Sequence, residues 1–157
     1  MDLDEGRLRQ LSALLGLGAA WFGAPAIVAP AFFGRLFGMD VAGQPAVQTA
    51  LRSVGVRDVA MGIGLWSAAV HGGNFAPWLL ARALSDTGDT LATLIAIRQG
   101  ARSPGFIALT LLALAASAMG WSLWLAARPS ASGPRKNRDG RLGARVREMR
   151  HLAQIRR

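Results

Sequence analysis

Four apolar runs separated by short polar or glycine-rich connections set the pattern of this chain, at residues 11–33, 46–71, 76–98 and 104–127. At ~1.5 Å per helical residue each run is long enough to cross a hydrocarbon core about 30 Å thick. Pro25 and Pro30 predict a kink or an early stop in the first run, because proline lacks an N–H and crowds the preceding turn. The second begins after Pro45, a residue tolerated at a helix start. The fourth carries no charge; its polar groups are Thr110, Ser117 and Ser122, and Ala113, Ala116, Ser117 and Gly120 recur at helical spacing as a small-residue packing face. Trp66, Trp78, Trp121 and Trp124 fall near run ends, where indole rings anchor at membrane interfaces, and Phe32, Phe33 and Phe37 are expected at an interface too. The pattern predicts an all-α fold: a four-helix transmembrane bundle with left-handed crossings.

Charges interrupt this pattern in the two middle runs. Around the turn Gly72-Gly73-Asn74, the first arm carries Arg52, Arg57 and Asp58 and the second Arg82, Asp86 and Asp89. An ionised side chain at the centre of a membrane helix costs roughly 2.5–3.5 kcal/mol on insertion scales, so these groups should pair or line a polar cavity. Folding the chain about the turn sets Asp58 level with Asp89 and Arg57 level with Thr90, near the middle of both arms. Steps of four and seven residues from Arg82 place Asp86 and Asp89 on one stripe. Gly55, Gly62 and Gly64 lie on and around the Asp58 face and would admit a neighbouring helix. Arg52 sits early enough to snorkel toward headgroups.

Two functional readings follow. With Arg52 aside, Arg57 and Arg82 face three aspartates, and the negative charge left over calls for a proton or a cation. Asp86 or Asp89 would then be a proton acceptor at mid-depth, with hydroxyls from Thr87 and Thr90 available to a ligand or to the helix backbone. The alternative is a structural or accessory membrane subunit whose charged groups form a closed lock between helices, equally sensitive to loss of one member. Enzyme chemistry has less support. Integral phosphatidyl-group transferases carry Asp-Gly, Ala-Arg and aspartates four apart, whereas this chain has Ala81-Arg82, no preceding Asp-Gly, and aspartates three apart. His71 and His151 are eighty positions apart without ligand spacing, so neither a metal nor another cofactor is expected.

Composition agrees with a membrane protein: 52% of the 157 residues are hydrophobic and 17% charged, and cysteine is absent. The net charge of +9 is concentrated at one end, since residues 1–127 hold 8 basic and 7 acidic side chains and 128–157 hold 10 basic and 2 acidic. Residues 128–157 read as a basic cytoplasmic tail, which from residue 141 is either an amphipathic helix on anionic lipid headgroups or a cationic tail fixing topology. No recognition motif points to nucleic acid. Basic flanks favour the cytoplasmic side, which places both termini inside a multi-pass protein of the cell membrane, although Arg98 and Arg102 then face outward. Ala24-Pro25-Ala26 resembles a signal-cleavage site, but Asp2, Asp4 and Glu5 supply acid where a signal peptide is basic, so the first run is read as a retained span. Four short spans enclose little volume, which favours a homo-oligomer or a larger membrane complex.

Gly-x-Arg-Asp at Gly55 to Asp58, with Arg-x3-Asp-x2-Asp at Arg82 to Asp89, resembles the small integral membrane proteins grouped as domain-of-unknown-function family 4267 over about residues 8–127. That resemblance implies a four-helix membrane protein without an established activity. In architecture alone the chain is also similar to four-helix accessory proteins of quinone oxidases.

Overall fold

A computed structural model describes residues 4–128. The described residues form five helices and no strand: α1 (Glu5–Val28), α2 (Pro30–Leu36), α3 (Pro45–Val70), α4 (Ala76–Arg98) and α5 (Pro104–Ala127). The basic segment from residue 129, including the helix expected from 141, lies outside the described residues.

The first apolar run is not one continuous helix over 11–33, in keeping with the early stop its prolines predict. Its helix starts earlier, at Glu5, passes through Pro25 and stops at Val28, where Ala29 takes φ −135° and ψ 62°. Pro30 disfavours helical geometry in the residue before it, and then opens α2 from the first-turn position, where its missing N–H costs nothing. The short α2 presses Phe33 against Phe22 and Phe37, with ring centroids 5.2 and 5.1 Å away. Phe33 is therefore buried and Phe32 exposed.

Two closely packed helix pairs make up the bundle. Along α1 and α3, which run antiparallel, Gly16 opposes Gly62 and Gly23 opposes Gly55, each pair two turns from the other. A Cβ on Gly16 would lie 2.6 Å from the Gly62 carbonyl oxygen, and one on Gly55 would lie 2.6 Å from the Gly23 carbonyl oxygen. Only glycine permits backbones this close. The second pair is α4 and α5, where a Cβ on Gly120 would sit 3.2 Å from the Cα of Ala83. One helical turn away on each helix, Thr87 Oγ1 and Ser117 Oγ are 2.8 Å apart, and Trp121 Nε1 donates to Thr87 Oγ1 at 3.0 Å. Ser117 and Gly120, on the small-residue face of the fourth run, are thus buried against α4.

The hairpin partners α3 and α4 approach less closely than either pair. Their junction near the turn is apolar, with Leu65, Ala69, Phe75 and Leu79 joining Leu8 and Leu15 of α1 and Leu123 of α5 in one buried cluster. Farther along, the junction is polar and carried by long side chains.

Beside the apolar cluster the interior holds several polar and charged side chains, and the exterior carries many apolar ones. Asp58, Arg82, Asp86, Ser12, Thr90, Thr110 and Ser117 are buried, while Leu14, Trp21, Ile63, Leu91, Leu111 and Leu125 are among the large apolar side chains exposed on all four long helices. Two helices, α1 and α5, are long and apolar enough to cross a membrane; α3 carries three charged residues and α4 four.

Candidate functional site

Five charged side chains meet where α3 and α4 face each other. Asp89 binds Arg57 in a two-pronged contact, Nη2 to Oδ2 at 2.6 Å and Nη1 to Oδ1 at 3.1 Å. Arg57 also donates to Asp58 Oδ1 from Nη2 at 3.0 Å and Nε at 3.2 Å. The same Asp58 oxygen accepts from Arg82 Nη1 at 2.9 Å, and Arg82 Nη2 reaches Asp86 Oδ1 at 2.6 Å. The result is an alternating ion chain, Asp89–Arg57–Asp58–Arg82–Asp86, which crosses between the helices twice. Charge-assisted contacts of this length are the stronger class of hydrogen bond, and guanidinium forks also fix the geometry of their carboxylates.

Exposure falls along the chain. Arg57 and Asp89 side chains are each 33% exposed, whereas Asp58, Arg82 and Asp86 fall to between 3 and 7%. At the buried end three polar atoms have no hydrogen-bond partner among the described residues: Arg82 Nε, Ser85 Oγ and Asp86 Oδ2.

The structure brings together Arg57, Asp58, Arg82, Asp86 and Asp89. It leaves out Arg52, which is exposed on α3 and makes no ion pair among the described residues. Thr90 is buried beside the ion chain, but its hydroxyl donates to the Asp86 backbone carbonyl at 2.7 Å. The Thr87 hydroxyl serves the α4–α5 seam instead. Ser85 was not legible as a participant; its one signal is its place three residues after Arg82, on the flank of the charged stripe. Guanidiniums separate the carboxylates, and no group of three or more metal-binding side chains gathers among the described residues.

A cavity of about 330 Å³ lies away from the ion chain, at the end that carries the start of α1, the α3–α4 turn and the end of α5. Arg9 borders it, 5.0 Å above the Phe75 ring, paired with Glu5 at 3.1 Å and donating to the Gly73 carbonyl at 3.3 Å. These contacts tie the start of α1 to the turn.

No family model, curated protein or solved structure matches this chain.

Proposed function

We propose that the chain is a four-span integral protein of the cell membrane, with cytoplasmic termini, whose internal ion chain handles a proton or a small solute. One observation carries this reading: three carboxylates and two guanidiniums alternate from a third-exposed end at Asp89 to a buried end at Asp86. Each guanidinium is already shared between two carboxylates, so one negative charge remains for a proton or cation to offset. The apolar exterior supports a lipid setting for all four long helices, since lipid rewards exposed Leu, Ile and Val and a charged interior must then be internally paired. Kinship with family 4267 belongs to the same proposal and rests on the two charged motifs alone. A homo-oligomer or larger membrane complex also fits the small enclosed volume.

The test is proton flux into liposomes containing the purified protein, read by an internal pH-sensitive dye after an external acid step. Wild type should relax the gradient faster than protein-free liposomes, and Asp86→Asn and Asp89→Asn should each slow it. Folded variants with unchanged flux would end the proton reading.

A second reading has its own support. Both arginines of the ion chain bond across the α3–α4 junction or within it, where the backbones stand farther apart than in the two tight pairs. The cluster would then be a lock joining the α1–α3 and α4–α5 pairs, in an accessory subunit with no transport of its own. Loss of stability without any flux in wild type selects this reading.

A further inference from the structure

The two sides of the ion chain are packed differently. Toward the start of α1 and the end of α5 lies the apolar cluster, with Leu79 one turn from Arg82 on α4 and Leu65 two turns from Asp58 on α3, both at 0% exposure. Toward the α2 end, α4 buries no residue beyond Thr90, and α3 buries none before Gly55. Helical spacing continues the Arg57 stripe through Ser53 to Ala50, and the Asp89 stripe through Thr93 to Ala96. Small, incompletely buried side chains thus continue both stripes past the exposed ion pair, where the two helices do not bury one another.

Hydrocarbon is a poor neighbour for the ion pair at the foot of these stripes. The pair formed by Arg57 and Asp89 sits near the middle of both helices with a third of each side chain uncovered, and charged groups at such depth face protein or water. At the blind end, Arg82 Nε, Ser85 Oγ and Asp86 Oδ2 offer a donor, a hydroxyl and an acceptor within about one turn, all buried and without partners among the described residues. Buried groups of this kind are those that internal water satisfies.

We infer that water enters the bundle between α3 and α4 from the α2 end and reaches as far as Arg82 and Asp86, while the apolar cluster seals the route from the end that carries the α3–α4 turn. Water is the ligand of this site, and protons reach the carboxylates through it from one side only. The inference rests on the four-span reading of the preceding subsection.

The chain has no cysteine, so single cysteines can be labelled with a charged, membrane-impermeant maleimide in sealed vesicles of known orientation. Ala50→Cys and Ala96→Cys report the two stripes, Ser12→Cys the sealed half, Gln99→Cys and His71→Cys the two aqueous ends, and Leu111→Cys the lipid face. Both stripe cysteines should react from the Gln99 side, within about tenfold of the Gln99→Cys rate, and Ser12→Cys at least about a hundredfold more slowly from either side. Stripe cysteines as inert as Leu111→Cys would mean that lipid or a second copy covers the stripes, and would overturn the proposal. So would labelling of Ser12→Cys from the His71 side. Leu111→Cys reacting as fast as Gln99→Cys, or His71→Cys and Gln99→Cys reacting from one side, would instead defeat the four-span reading and the inference with it.

Discussion

Replacing Arg82 by methionine keeps most of the side chain's length and removes its charge. Arg82 holds Asp58 at 2.9 Å and Asp86 at 2.6 Å, and all three side chains are at most 7% exposed. Without it Asp86 has no cation in contact, and Asp58 keeps only Arg57 at 3.0 Å. Removing one member of a buried ion pair costs about 3–5 kcal/mol, because the remaining charge stays desolvated. At about 2–4 °C per kcal/mol for a chain of this size, Tm should fall by roughly 6–20 °C. Arg57→Met should cost less, about 1 kcal/mol, since Asp89 is 33% exposed and can be rehydrated while the buried Asp58 keeps Arg82 at 2.9 Å. Adding Asp86→Leu to Arg82→Met removes the stranded carboxylate and should recover part of the loss. Thermal unfolding of the detergent-purified protein, followed by tryptophan emission, measures all three. Equal losses for the two arginine variants, or a double variant less stable than Arg82→Met alone, would refute the buried, interlinked arrangement.

At the α1–α3 seam, Gly62→Ala places a methyl group 2.5 Å from the Gly16 carbonyl oxygen and 2.7 Å from the Ala20 backbone nitrogen. Backbones must part to admit it, at about 1–3 kcal/mol. Gly88→Ala meets nothing within 4 Å and should stabilise by about 0.5–1 kcal/mol in the same unfolding assay. Thr87→Val strips the partner from Trp121 Nε1 at 3.0 Å and from Ser117 Oγ at 2.8 Å. It should cost about 1–2 kcal/mol and shift the tryptophan emission maximum. Arg52→Gln, outside the ion chain, should leave Tm within the change expected for about 0.5 kcal/mol, and proton flux unchanged.

The charged residues were legible because their cost is visible in sequence: an aspartate or arginine inside an apolar run has to find a partner. The run pattern also gave α3, α4 and α5 to within a residue or so. What failed was local or tertiary. Pro30 predicts a kink or an early stop but not which, and its effect on Ala29 divides the run into α1 and α2. Gly55 and Gly62 were read as contact residues of the Asp58 face, but their partners Gly16 and Gly23 depend on how α1 docks, which no local spacing encodes. The tightest seams are α1–α3 and α4–α5 rather than the α3–α4 hairpin, which arginine side chains bridge across a wider junction. Of the two roles open to the Thr90 hydroxyl, a ligand or the helix backbone, the structure shows the second, since a helical threonine has a carbonyl four residues back within reach before any tertiary partner.

The most direct test of the ion chain is the coupling free energy between Asp58 and Arg82. It is obtained from the unfolding stabilities of wild type, Asp58→Asn, Arg82→Gln and the double variant in lipid bicelles. A buried contact at 2.9 Å should give a coupling of about 1.5 kcal/mol or more. Losses that add to within about 0.3–0.5 kcal/mol would show that the two side chains do not meet, and would contradict the charged core proposed for this bundle.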